Sequence, residues 1–323
     1  MTVAVNNGKF VSLKKMMEVS VWFWVGFHIL IGTILAIDLG LVSKKSHKIP
    51  LKEALTWTFV WLAVALLFNI FILFKWGTPF ALEFLTGYVI EYSLSVDNIF
   101  VFILIFSSFA IPAEYQHKVL FWGIIGALVM RAIFIFAGVA LINRFHWIVI
   151  VFGGFLVVSG IKMLFPGKKE VHPEGNFVVR MARRFMRVTD KFHGDKFFIK
   201  QGGKRFITPL FLVLLVIESS DLIFAVDSIP AILAVSNDQF IVYTSNIMAI
   251  LGLRSLYFAI SGIMEYFRYL KVGLAFVLTF VGTKMLLAFF NIEIPITLSL
   301  ATIVGILLFS ILASVLIKET EKS

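Results

Sequence analysis

The chain has 323 residues, of which 60% are hydrophobic before its 22 glycines are counted, while 15% are charged and 36 are phenylalanine. A soluble domain is about 45–50% apolar with glycine included, so one or two soluble domains are excluded: too little polar surface exists to cover the apolar side chains. A net charge of +10 points to nucleic acid only in a soluble protein; here the question is where the bases lie, and no nucleic acid is expected. The lack of cysteine excludes disulfides, thiolate metal sites and cysteine nucleophiles. The class that remains is an all-α, polytopic transmembrane helical bundle.

A membrane crossing takes about 20 apolar residues, and nine runs come close to that length: 20–42, 52–74, 80–111, 119–142, 147–165, 208–235, 240–263, 271–290 and 295–317. Lys14 and Lys15 precede the first run as in a secretory leader. That run carries Asp38 and ends at Lys44 and Lys45 without a small-residue cleavage site, so a retained span is expected. The expected organisation is an extension with two spans (1–79), a three-helix unit (80–165), a basic loop (166–207), a second three-helix unit (208–290) and a last span with its tail (291–323). The loop includes an amphipathic stretch from Phe177 to Val188.

Basic residues set the orientation. With the 166–206 loop inside, 20 of the 29 Lys and Arg fall inside, five outside and four within spans. That places the amino terminus outside and the carboxyl terminus in the cytoplasm. The loop reads first as this topology signal, and second as a contact for anionic lipid or a protein. Trp22, Trp57, Trp76 and Trp147 fall near span ends as an aromatic belt does. Glu83 is expected at the interface as well, and His28 and His146 show no metal-pair spacing.

The two three-helix units resemble each other. Glu91 to Ile99 aligns with Asp221 to Ile229 at an offset of 130, superposing acid on acid twice. Arg131 matches Arg254 at 123, and Gly160-Ile-Lys162-Met-Leu matches Gly282-Thr-Lys284-Met-Leu at 122. An alternative register pairs Val89-Ile90-Glu91 with Val216-Ile217-Glu218. One unit enters from outside and the other from inside, so the repeats are inverted, an architecture in which substrates bind where the repeats meet. The runs 80–111 and 208–235 are long for plain crossings. Strong tilt explains that, and so does a break near the middle of each, as in transporters with discontinuous helices.

Those two runs carry Glu91, Asp97, Glu218, Asp221 and Asp227. A carboxylate at the bilayer centre costs at least about 2.5–3.5 kcal/mol, so something must compensate the group. Arg131, Arg254, Lys162 and Lys284 are the bases within spans, but lysines near span ends can reach water instead. With Asn98 and Ser228, the acids form an oxygen-rich metal set suited to a hard divalent cation, Mn²⁺, Mg²⁺ or Ca²⁺. That cation is expected as cargo, with no permanently bound cofactor. Asp97 and Asp227 point about 120° away from Glu91 and Asp221 in a straight helix, so unwinding would help them join. Arg131 and Arg254 would neutralise the acids when the ion leaves. Asp38 is an interfacial residue or part of the ion path. An aspartyl protease lacks its Gly-x-Gly-Asp motif here, and a purely structural partner leaves the buried acids unexplained. A carrier of another substrate coupled to protons is the rival within transport.

The segments Ala36–Leu39, Ser93–Phe100, Glu218–Ala231 and Ser245–Arg254 resemble the TerC family of bacterial membrane proteins, and within it the Alx-like members. The resemblance implies an inner-membrane cation transporter tied to Mn²⁺ export, with a link to tellurium resistance. It implies that the family's acids stand here as Glu91, Asp97, Glu218, Asp221 and Asp227. Tyr92 stands where relatives often have lysine, and Ser95 where they have alanine.

Overall fold

Inside a bilayer the backbone has no partner but itself, so long apolar runs fold as helices. A computed structural model describes residues 3–6, 9–12, 19–42, 50–145, 147–165, 177–189, 191–261 and 269–316, with backbone alone for 3–12 and 37–42. Eleven helices occur among them: α1 (Val21–Val42), α2 (Leu51–Trp76), α3 (Thr78–Ser108), α4 (Ala113–Arg144), α5 (Ile148–Leu164), α6 (Phe177–Phe185), α7 (Pro209–Leu233), α8 (Gln239–Leu251), α9 (Leu253–Ser261), α10 (Leu270–Phe289) and α11 (Ile296–Leu316). The chain is a mostly helical, multi-pass membrane protein.

The expectation of about nine spans is met in part. Among the described residues six helices are long and apolar enough to cross (α2, α3, α4, α7, α10 and α11), and α8 with α9 makes a seventh if counted together. Two shorter apolar stretches, one within α1 and one that is α5, add to these among the described residues. At 17 residues, α5 rises about 26 Å, short of roughly 30 Å of hydrocarbon. The fold is also not purely helical. Strands β1 (Val3–Asn6) and β2 (Lys9–Ser12) form one antiparallel pair, and β3 (Phe198–Gln201) and β4 (Lys204–Ile207) form another. Gln201 faces Lys204 across Gly202 and Gly203, whose φ values of 58° and 76° are the left-handed conformation that a tight hairpin turn requires.

Residues 1–44 form one compact unit and 45–323 another. In the larger unit α3 packs against α7 and α8, α4 packs against α7 and α8, and α5 lies along α10, which also contacts α11. Small residues allow these approaches. A Cβ on Gly160 would sit 2.6 Å from the Ala275 carbonyl oxygen and 2.9 Å from the Thr279 nitrogen. One on Gly282 would sit 2.7 Å from the Gly153 carbonyl oxygen and 2.9 Å from the Val157 nitrogen. Hydroxyls in the spans donate to carbonyls one turn back, as Thr86 does to Leu82 and Thr279 to Ala275, so their burial leaves no unmet donor.

Of the two explanations offered for the long acidic runs, tilt or a break, no break occurs. α3 and α7 are each continuous, for α3 has proline only at its start, and Pro230 lies in the last turn of α7. The bend falls instead between α8 and α9, 42° at Gly252, where the glycine packs against the Trp61 side chain, 3.3 Å from its added Cβ.

Within the basic segment, Ala182 of α6 and Ile207 of β4 cluster with Leu212 of α7, joined by Val188, Phe211 and Leu215. The Lys118 ammonium, near the start of α4, donates to Asp195 at 2.8 Å and lies 5.3 Å from the Phe197 ring centre. The hairpin is thereby tied to two membrane helices.

Two outcomes follow from these contacts. Gly160→Val or Gly282→Val is expected to cost about 1–3 kcal/mol by overpacking, seen as a lower Tm in detergent. Gly154→Val, with nothing within 4 Å of its added Cβ, is expected to be near neutral. The Lys118 hydrogen bond holds the Asp195 carboxyl below its ordinary range, so the tether is present at neutral pH and is lost as pH falls through that lowered value. Both partners are partly exposed, at 28% and 49%, so the effect is small. Limited proteolysis of the hairpin is expected to rise at acid pH, and Asp195→Asn to remove that pH dependence.

Candidate functional site

Arg131 lies mid-helix on α4 and is 1% exposed. A guanidinium there needs anionic partners, and α3 and α7 supply them. Arg131 Nη1 forms an ion pair with Glu91 Oε1 on α3 and donates to Ser228 Oγ on α7 at 3.2 Å. Its Nη2 lies 3.6 Å from Asp221 Oδ1. Glu91 is fully buried and accepts further from Asn246 Nδ2 on α8 at 3.0 Å and from Ser95 Oγ at 3.4 Å. Four helices, α3, α4, α7 and α8, thus meet on one carboxylate–guanidinium pair.

The other predicted acids lie around this pair. Glu218 is half-buried, and its carboxylate occupies the space that any side chain at Gly126 would need. It lies within electrostatic range of Asp221, as does Glu91. Asp221 and Arg254 line a narrow cavity between Gly123, Ala127 and Ile217, with about 10 Å³ of room for a water-sized body, close to the minimum that holds one water. Asp221 Oδ2 and Asn246 Oδ1 are buried with no hydrogen-bond partner among the described residues, as is Arg131 Nε.

Asp97 and Asp227 are half-buried and form a separate set. They lie within electrostatic range of each other, and Asp97 also of Lys271 at the start of α10. Ser159 of α5 donates to Asp227 at 2.9 Å. Glu91 and Asp97 are six residues apart, about 9 Å of helical rise, and Asp221 and Asp227 repeat that spacing. The acids therefore stand as two sets in this structure rather than as one. Continuous helices keep the acids strung along α3 and α7, and among the described residues no group of three His, Cys, Asp or Glu is placed to hold a metal.

The remaining expectations divide. Asn98 is buried on α3, Lys162 is exposed in the last turn of α5, and Lys284 is half-buried on α10. Asp38 lies on α1 with its side chain outside the described residues. Glu83, expected at the interface, is buried, and Ser236 donates to it at 2.5 Å. Sequence reasoning missed Ser159, Asn246, Lys271 and Gly126. Ser159 adjoins the repeated Gly160 segment and Asn246 lies inside Ser245–Arg254, so each adjoined or lay within a segment already in view. Nothing local marks Lys271 or Gly126.

The fold and this network define a polytopic helical membrane protein with carboxylates and a guanidinium held deep between spans. The description "Integral membrane protein TerC family" matches residues 76–322, and the chain belongs to the TerC family. A Myxococcus xanthus protein named as an uncharacterized membrane protein is 52% identical over 293 residues, 91% of this chain and 92% of that one. A protein of Escherichia coli K12 named "Putative membrane-bound redox modulator Alx" is 46% identical over 298 residues, 89% of this chain and 92% of that one. An uncharacterized membrane protein of Rickettsia felis is 42% identical over 296 residues, 92% of this chain and 98% of that one. No solved structure matches the chain.

Removing one member of a buried pair leaves the other charge uncompensated, at about 3–5 kcal/mol. Arg131→Ala is expected to show that loss as a lower Tm in detergent or failed membrane accumulation. Arg131→Met with Glu91→Gln is expected to recover most of it, whereas equal damage in the single and double variants would show that the pair carries no such energy.

Proposed function

We propose that this protein carries a hard divalent cation across the bacterial inner membrane by alternating access, and that the ion is Mn²⁺ moving outward. Oxygen donors accommodate Ca²⁺ and Mg²⁺ as well; Mn²⁺ is the ion that the family resemblance implies. The observation that carries the reading is the two buried, unpartnered acceptors, Asp221 Oδ2 and Asn246 Oδ1, of residues that both border the Glu91–Arg131 pair, with Asp221 also lining the cavity. A buried acceptor without a donor costs about 1–3 kcal/mol, and a bound cation removes that cost.

In this mechanism Arg131 is an internal cation that competes with the cargo. With the site empty it holds Glu91 and approaches Asp221, keeping the acids compensated. When the ion enters, it takes over these oxygens and Arg131 is displaced. Asp97, Asp227 and Ser159 supply a second oxygen set for the ion on its way. The basic 166–206 segment is placed in the cytoplasm, with the amino terminus outside.

The inverted repeat belongs to this proposal, and the packing of α5 on α10 supports it. The seat of Gly160 is made by the Ala275 carbonyl and the Thr279 nitrogen, and that of Gly282 by the Gly153 carbonyl and the Val157 nitrogen. Adding the repeat offset to Gly153, Val157 and Gly160 gives Ala275, Thr279 and Gly282, so the two seats exchange. The contacts of α3 with α8 and of α4 with α7 exchange in the same way. Applied to Arg131 with Glu91 and Ser228, the exchange gives Arg254 with Asp221 and Asn98, the set expected to close when the site opens to the opposite side.

The name of the E. coli relative speaks of redox modulation. This chain has no cysteine, so a redox role here would run through the ion it moves rather than through its own thiols. A proton-coupled carrier and a membrane component of a tellurium or stress-resistance complex are the alternatives.

Purified protein in liposomes is expected to move Mn²⁺, with Ca²⁺ and Mg²⁺ compared under imposed pH gradients. Asp97→Asn and Asp227→Asn are each expected to cut the flux at least about tenfold, the factor that 1.4 kcal/mol of lost ion stabilisation produces. No flux of any divalent ion, or full flux in both variants, would sink the proposal. Arg131→Gln is expected to slow net transport more than ion binding, because it acts on return of the empty carrier.

A further inference from the structure

The nine residues of α6 show three different faces. Val179 and Ala182 are buried, and Ala182 packs toward α7. Successive helical residues advance by about 100°, which puts Phe177, Met181 and Phe185 together on a second face. They are exposed at 64%, 40% and 74%. Arg180, Arg183 and Arg184 share the third face, and the Arg180 guanidinium lies 5.9 Å from the Phe177 ring centre. An apolar stripe bordered by arginines suits a boundary between hydrocarbon and phosphate rather than water on all sides.

The contacts of α6 set its level. Ala182 clusters with Ile207 and Leu212, with Leu215 beside them, and α7 begins at Pro209. Leu212 and Leu215 are three and six residues into that span, about 4–9 Å of rise. An amphipathic helix lying in the membrane plane buries its apolar face about 5–10 Å into the headgroup boundary. The two depths agree. A soluble partner or a nucleic acid would have to reach this face at the level of the lipid headgroups.

We propose that α6 is an in-plane membrane helix that binds anionic phospholipid, with Phe177, Met181 and Phe185 among the acyl chains and Arg180, Arg183 and Arg184 on headgroup phosphates. The proposal is independent of what the protein transports. It gives the basic segment a physical partner beyond its part in topology, and it holds the hairpin, tied through Asp195 to Lys118, against the membrane surface.

The chain has no cysteine, so Met181→Cys gives a single site for a nitroxide label in the full-length protein. In bilayers of phosphatidylcholine and phosphatidylglycerol at three to one, the label is expected to be more accessible to oxygen than to a water-soluble nickel chelate. A label at Gln201→Cys, in the hairpin, is expected to show the reverse. With the unlabelled full chain, native mass spectrometry is expected to show preference for phosphatidylglycerol over phosphatidylcholine. That preference should fall roughly fivefold for each of Arg180→Gln, Arg183→Gln and Arg184→Gln. A label at Met181→Cys that is water-exposed in both pure phosphatidylcholine and the mixture overturns the proposal and assigns the surface to a soluble partner. A phosphatidylglycerol preference that is absent, or that survives all three substitutions, overturns it equally.

Discussion

A guanidinium buried between membrane helices is the constraint around which the larger unit is organised. Arg131 cannot lose its proton under physiological conditions, and at 1% exposure it has little water. Its compensation comes from Glu91 and Ser228, with Asp221 close by. Satisfying one side chain therefore requires α3 and α7 to close on α4. Asn246 brings in α8 through the other oxygen of Glu91. Apolar helices in lipid gain little from merely avoiding water, so a charge that must be met gives the bundle a register that packing alone would leave loose.

Around that network the helices approach by subtraction. Gly126 leaves room for the Glu218 carboxylate, Gly87 for the Ser245 hydroxyl, and Gly160 and Gly282 for the backbone of the facing helix. Hydroxyls near these positions bond within their own helices, as Thr279 does to Ala275, and can be buried without seeking a partner across the gap. Polar atoms left over in such a setting are conspicuous: Asp221 Oδ2 and Asn246 Oδ1 both belong to residues of the charged network, and Asp221 also lines the cavity.

The helical class and most of the acidic positions were legible in the residues because both depend on composition within a run. Twenty apolar residues have few other ways to exist in a bilayer, and a carboxylate inside such a run announces itself. Three-dimensional grouping was not legible. Glu83 lies near a span end, and nothing local to it reveals that it is buried with a hydrogen bond from Ser236, 153 residues away. Length and acids together allowed either tilt or a break in α3 and α7, but the bend occurs at Gly252, in a run of ordinary length. Lys271 counts as a loop base by position and comes within range of Asp97 only because α10 folds back beside α3. The Gly202-Gly203 hairpin has a turn dipeptide as its local signal, set within a strongly basic segment.

The pairing of Arg131 with Glu91 also bears on how the chain enters the membrane. α3 and α4 are consecutive, joined by four residues, so the carboxylate reaches the bilayer just ahead of the guanidinium. Delivered together as a helical hairpin, the two can neutralise each other before any of α7 has been synthesised. Asp221 and Ser228 arrive some ninety residues later, onto a pair that already exists. The order of the charges along the polypeptide thus spares the insertion machinery an isolated arginine, and makes this helical hairpin the natural first unit of assembly.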